Sequence, residues 1–170
     1  MSLHVKKANA IDAKLLAELG AKTFYDTFHT FHTKEDMEEY LQTAYSLSII
    51  QKYLQDPSIY YAIAYHQETP VGYLKLKFAS THALLKGKQV ELEKIYVVDF
   101  EFGKGAGKLL MEHALEFALE NECDTMFLGV WEENHRAVAF YKKYGFEVFA
   151  TRTFKLGSNL CDDFLMRLSL

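Results

Sequence analysis

The chain has 170 residues, 49% of them apolar and 25% charged, with a formal net charge of −4. That length allows a sizeable core, and the composition is that of an ordinary globular protein. The chain holds no basic stripe for a nucleic acid, no apolar run near the roughly 20 residues that span a bilayer, and no signal-peptide pattern. Cys123 and Cys161 form neither a disulfide framework nor a metal-ligand spacing, and His113 and the other histidines show no metal spacing. The expectation is one domain over 1–170, cytoplasmic, with reduced thiols and with no metal, nucleic-acid or membrane partner. Met1-Ser2-Leu3 has the form of an expression remnant as well as of a natural start.

His4 to Ala8 is the first predicted strand. Asn9 then caps a helix, with Asp12 three residues on and Ile11, Leu15 and Leu19 on one face. That helix continues through Phe24, Tyr25 and Phe28. Thr33 opens a second, acidic helix from Lys34 to Thr43, and Ser46 or Ser48 caps a third that stops before Asp56-Pro57. After Pro57 the period changes. Ile59 to Tyr65 and Val71 to Phe78 flank the turn His66-Gln67-Glu68-Thr69-Pro70 as an antiparallel hairpin. Residues 79–88 form a loop, and Gln89 to Val98 is a long strand. Gly105 to Glu120 is helical, with Leu110, Ala114, Phe117 and Ala118 in step. A strand from Thr125 to Trp131, a helix from Asn134 to Tyr144, and strands at Phe146 to Lys155 and Asp163 to Leu168 complete a mixed α/β domain.

The strand before the glycines changes parity. Val90 and Leu92 share one face, whereas Ile95 and Val97 fall on the other, so alternation slips by one residue around Glu93-Lys94. A β-bulge produces such a slip, and bulges gather beside ligand sites. A strand buried on both faces is the alternative, since Tyr96 and Val98 are also apolar.

That strand runs into Phe102-Gly103-Lys104-Gly105-Ala106-Gly107 and then a helix. Glycines admit close backbone approach, and the free N–H groups of a helix start attract phosphate oxygens. The triphosphate loop G-x-x-x-x-G-K-[ST] fails at Phe102 and Leu109, and the dinucleotide loop G-x-G-x-x-G fails at Lys108. The segment instead resembles the Q/R-x-x-G-x-G/A loop of the GCN5-related N-acetyltransferases, with Phe102 departing from the usual Gln or Arg. Asn134 to Phe146 resembles the second signature of that family, N-x-x-A-x-x-F-Y-x-K-x-G-F, at every specified position. Thr23-Phe24-Tyr25-Asp26-Thr27-Phe28, Gly72-Tyr73-Leu74-Lys75-Leu76 and Glu91 to Val97 look like the PaiA-type spermidine/spermine group, as do Phe154 to Gly157 and Asp162 to Met166.

The resemblance implies an α/β (α+β) fold, order β-α-α-(α)-β-β-β-α-β-α-β-β, with a mixed, mostly antiparallel sheet of about seven strands flanked by helices. It implies acetyl-CoA as co-substrate and a small amine, spermidine or spermine, as acceptor, acetylated by direct attack on the thioester. Main-chain N–H groups from Phe102 to Lys108 would hold the pyrophosphate, and Ile95, Tyr96 and Val97 would pair with the pantetheine amides. Asn134 would touch the pantetheine arm. Lys143 is either a contact for the phosphoadenosine end or an exposed helix lysine.

Tyr141 matches the general-acid position, and a phenol with a pKa near 10 is protonated at neutral pH. Glu93 is the candidate base acting through a water, an alternative being a solvated carboxylate that attracts the amine, and another being no dedicated base. Phe24, Tyr25, Phe28, Trp131 and Glu132 would form an aromatic, acidic acceptor groove. Rival readings are another acceptor (a protein N-terminus, an amino acid, an aminoglycoside-like amine) or a non-catalytic acyl-CoA sensor. The sequence leaves the oligomeric state open, a homodimer included.

Overall fold

The β-branched and aromatic runs become strands in a computed structural model describing residues 2–170; Met1, the first residue of the opening tripeptide, lies outside it. The strands are β1 (Leu3–Lys7), β2 (Ile59–His66), β3 (Thr69–Lys77), β4 (Gln89–Val97), β5 (Thr125–Trp131), β6 (Glu147–Leu156) and β7 (Asn159–Ser169). They form one sheet in the order β1-β2-β3-β4-β5-β7-β6. Only β4 and β5 run parallel, so the sheet is the mixed, mostly antiparallel one expected. The helices are α1 (Ala13–Phe28), α2 (Lys34–Ala44), α3 (Leu47–Gln55), α4 (Ala106–Glu120) and α5 (His135–Lys143). None of them is long and apolar enough to cross a membrane.

Most boundaries shift by a residue or two, the hairpin turn tightening from His66–Pro70 to Gln67-Glu68, and two differences change which residues face the core or the sheet. Ala10–Asp12 form a 3-10 turn ahead of α1, closed by a capping box between Asn9 and Asp12. A turn of three residues is out of phase with the helix that follows. Ile11 therefore points outward, 88% exposed, and is not on the core face. The buried stripe of α1 is instead Ala13, Leu16, Ala17, Leu19, Gly20, Thr23 and Phe24. The last strand also begins earlier, at Asn159, because a tight turn pairs Leu156 with Asn159 and the ladder continues from there. Polar Asn159 and Asp162 on either side of Leu160-Cys161 hid that extension.

Helix α4 covers one face of the sheet with Leu110, Met111, Ala114 and Ala118, each fully buried against β2 to β4. Burying a Leu or Met side chain contributes about 1.5–3 kcal/mol. Helices α1 and α3 cover the opposite face, where Tyr61, Tyr73, Lys75, Lys94 and Tyr96 stand in cross-strand register.

Candidate active site

Strands β4 and β5 lie side by side only over Gln89–Glu91, opposite Thr125–Phe127. Beyond that point β4 follows β3 while β5 follows β7, and the sheet splits open. The departure begins within β4. Lys75 pairs with Lys94 and Leu76 with Leu92, leaving Glu93 unmatched as a bulge. This is the slip read from Val90 and Leu92 against Ile95 and Val97. A bulge bends its strand and steepens its twist, which carries β4 away from its neighbour. Val98 donates its N–H to the Val71 carbonyl, so alternation turns the N–H groups of Ile95 and Val97 toward the gap.

A cavity of about 540 Å³ fills the split, walled by Ile95, Tyr96, Val97, Val130, Trp131, Tyr141, Phe24 and Phe28. A second, of about 550 Å³, follows Gly103, Gly105, Gly107, Phe140 and Lys143. Phe102, Arg136 and Tyr141 border both.

The glycine loop has an unusual donor inventory. The N–H groups of Phe102 and Lys104 already bond the carbonyls of Asp99 and Glu101, so these two do not belong to the expected cradle. Those of Gly103, Gly105, Ala106, Gly107 and Lys108 donate to no backbone carbonyl among the described residues. Asn9, Thr33, Ser46 and Asn134 cap other helical entries with their side chains, but no side chain caps α4 at Gly105. Gly105 has φ +99°, a conformation in which a side chain is strained. Five unpaired donors at the positive end of α4 suit an anion. Glu101, 4% exposed, anchors the loop from below through His66 Nδ1 at 3.3 Å and Lys104 Nζ at 3.5 Å.

Tyr141 lies between the cavities, 9% exposed. Burial alone pushes its phenol well above the ordinary tyrosine range, which holds the proton on oxygen. Asn134 accepts from the Ala137 N–H at 3.3 Å, so its Oδ1 is committed to the cap of α5 while its amide N–H₂ is left over. Lys143 borders the second cavity, and the Lys108 ammonium pairs with Glu112 at 3.7 Å.

The floor of the first cavity is more charged than the sequence suggested. Lys75, its side chain 1% exposed, meets Glu93 Oε2 at 2.8 Å and sits 3.6 Å over the Tyr53 ring. The pair is coulombic rather than a well-directed hydrogen bond, since Oε2 has no donor in bonding geometry. Burial raises the Glu93 pKa, but Lys75, with Lys94 and Lys77 beyond it, overcomes that and leaves it below the ordinary carboxylate range. Arg152 reaches Asp163 at 3.5 Å and Glu91 at 3.9 Å across Gly129, where a Cβ would collide with the guanidinium. Every carboxylate lining this cavity thus has a cation, whereas Lys77 and Lys94 have no carboxylate within 4 Å among the described residues.

Of the expected acceptor groove, Phe24, Phe28 and Trp131 line the cavity, with Phe28 and Trp131 rings 6.1 Å apart. Tyr25 does not. One helical step past Phe24, it is 45% exposed and stacks on His29. Glu132 is turned away as well, into a shallow hollow with Val138 and Lys142, because it follows Trp131 on the opposite side of the chain. The groove is aromatic, and the carboxylates that line it, Glu91, Glu93 and Asp163, are each matched by a cation. Arg136, Lys75, Lys94, Arg152 and Asp163 were missed, although a lysine between Leu74 and Leu76 in an apolar strand was a readable signal. No group of three or more His, Cys, Asp or Glu among the described residues could hold a metal ion.

The pattern of the acetyltransferase (GNAT) family matches residues 21–146. An N-acetyltransferase of Mycobacterium tuberculosis is 32% identical over 157 residues, 91% of this chain and 96% of that protein. One of Lactobacillus delbrueckii subsp. lactis is 29% identical over 153 residues, covering 89% and 88%. Among solved structures, the PaiA N-acetyltransferase of Thermoplasma acidophilum in complex with coenzyme A superposes with a TM-score of 0.83 over 100% of both chains at 23% identity. That likeness establishes the fold.

Proposed function

The chain belongs to the GNAT family of acetyltransferases, and from that premise we propose that it transfers an acetyl group from acetyl-CoA to a small primary amine. The observation that carries this reading is the split between β4 and β5 with five unpaired N–H donors at its mouth. The fit is chemical. The donors of Gly103 and Gly105–Lys108 suit a pyrophosphate, and the unpaired edge at Ile95 and Val97 suits an amide-bearing chain laid in as an extra strand. One of those edge N–H groups can polarise the thioester carbonyl as charge develops there.

Tyr141 supplies the acid. The amine nitrogen bonds to the carbonyl carbon, the carbon–sulfur bond breaks, and the phenol proton goes to the departing sulfur. Glu93 takes the ammonium proton through a water. Lys75 keeps that carboxylate ionised but also makes it a weak base, so its share of the rate is small. In this reading Asn134 offers its free amide N–H₂ to the pantetheine arm, and Lys143, which borders the second cavity, meets the far end of the donor.

Two acceptor classes compete. A polyamine is the one the sequence resemblance implies, and the aromatic walls Phe24, Phe28 and Trp131 support it. The unpaired Lys77 and Lys94 favour the other, an amine that also carries a carboxylate. A matched panel of spermidine, cadaverine and L-lysine, assayed with acetyl-CoA by mass spectrometry, separates them. If the lysines act as an anion subsite, L-lysine has at least a tenfold higher kcat/KM than cadaverine, and Lys94→Gln removes the difference. Preference for spermidine, or equality of lysine and cadaverine, returns the acceptor to the polyamine class.

A further inference from the structure

Arg136 lies in the first turn of α5, and its guanidinium carbon sits 3.6 Å over the centre of the Phe102 ring. The two cations of the loop and the helix start are already engaged, Lys104 with Glu101 at 3.5 Å and Lys108 with Glu112 at 3.7 Å, while Lys143 lies further along α5 at the second cavity. Arg136 has no carboxylate within 4 Å among the described residues, although Asp26, Asp99 and Glu133 share a shallow hollow with it. It borders both cavities, and its platform, Phe102, is bonded directly to Gly103, the first of the five unpaired donors.

A guanidinium held over a ring face can keep N–H groups free for a ligand. It is weakly hydrated, and its fork matches two phosphate oxygens at once. Stacking also removes much of the rotamer freedom that binding would otherwise cost. We propose that Arg136, seated on Phe102, is the cationic contact for the donor's pyrophosphate. Phe102, the position where this loop departs from its resembling pattern, serves as the seat rather than as the contact. A guanidinium from a residue far along the chain thereby stands beside the loop.

The inference rests on the coenzyme reading above, and calorimetry with coenzyme A alone separates the two. Wild-type protein that fails to bind coenzyme A overturns both. If wild type binds, Arg136→Gln is expected to raise Kd about 10- to 100-fold, the range of a lost charge-assisted contact. Arg136→Lys, which keeps the charge without the fork, is expected between the two. Phe102→Leu is expected to weaken binding less than Arg136→Gln, and the double variant no more than Arg136→Gln alone. S-acetylpantetheine, which lacks the pyrophosphate, provides the comparison: Arg136→Gln is expected to lower its kcat/KM by a much smaller factor than that of acetyl-CoA. A coenzyme A Kd within twofold of wild type, or an equal loss with both donors, overturns the assignment.

Discussion

Lys75 and Glu93 are the residues on which the chemistry of the cleft and the stability of the sheet meet. The ammonium is buried and the carboxylate is partly exposed, 1% and 29% by side chain, at 2.8 Å. Removing one partner of such a pair strands the other charge, which is why breaking it costs more than the pair is worth. Glu93→Gln is expected to lose about 3 kcal/mol in urea unfolding at neutral pH, and Lys75→Met/Glu93→Gln to recover most of it. The pH dependence has a definite sign. The folded-state pKa of Glu93 is depressed, so its stabilising contribution is full above the ordinary value of 4.5 and is lost as pH falls through the folded pKa. The gap between wild type and Glu93→Gln should therefore narrow on acidification. A gap that is absent at neutral pH, or that widens toward pH 3, contradicts the pairing. Tyr141 differs in kind: burial alone holds its proton, without a charged partner.

At the scale of elements, the bulge in β4 and the uncapped start of α4 act as one device. The bulge turns β4 from β5 and exposes a strand edge, while Gly105 begins α4 without consuming its donors. Space is not the constraint at Gly105, since an added Cβ would find only Leu3 Cδ1, at 3.7 Å. The constraint is φ +99°, where an alanine costs about 1–2 kcal/mol. Gly105→Ala is thus expected to lower Tm by roughly 2–8 °C in calorimetric scans. It is also expected to weaken coenzyme A binding, as the loop shifts to relieve the strain. An unchanged Tm, or lowered stability with undiminished coenzyme binding, would separate the loop from the site. The parity change at Glu93-Lys94 and the glycine spacing are local patterns, so both are legible in the amino-acid sequence. The Lys75–Glu93 and Arg136–Phe102 contacts were not, because each joins segments that only strand pairing or helix packing brings together.

Across the whole molecule, the element order and the mixed sheet of about seven strands followed from the pattern and the resemblance, whereas the opening between β4 and β5 and the charge of the cleft did not. Glu132 looked like an acceptor carboxylate in the chain, but alternation beyond β5 sends it to another face. Of the carboxylates that do line the cleft, Glu93 pairs with Lys75, while Glu91 and Asp163, from β4 and β7, meet Arg152 from β6 only after the sheet has closed around Gly129. Under the proposed function the donor occupies one cavity and the acceptor the other, with Tyr141, which borders both, between them. The direct test is a paired measurement on wild type and Tyr141→Phe at saturating acetyl-CoA, with the amine panel extended to peptide N-termini and aminoglycosides. Free thiol and acetylated amine are quantified together, and coenzyme A affinity is measured separately. The expected result is thiol and acetyl-amine in equal amounts from wild type, with kcat reduced about 100-fold in Tyr141→Phe and coenzyme A affinity unchanged. Tight coenzyme A binding with no thiol release for any amine would contradict the account and make the cleft a sensor rather than an active site.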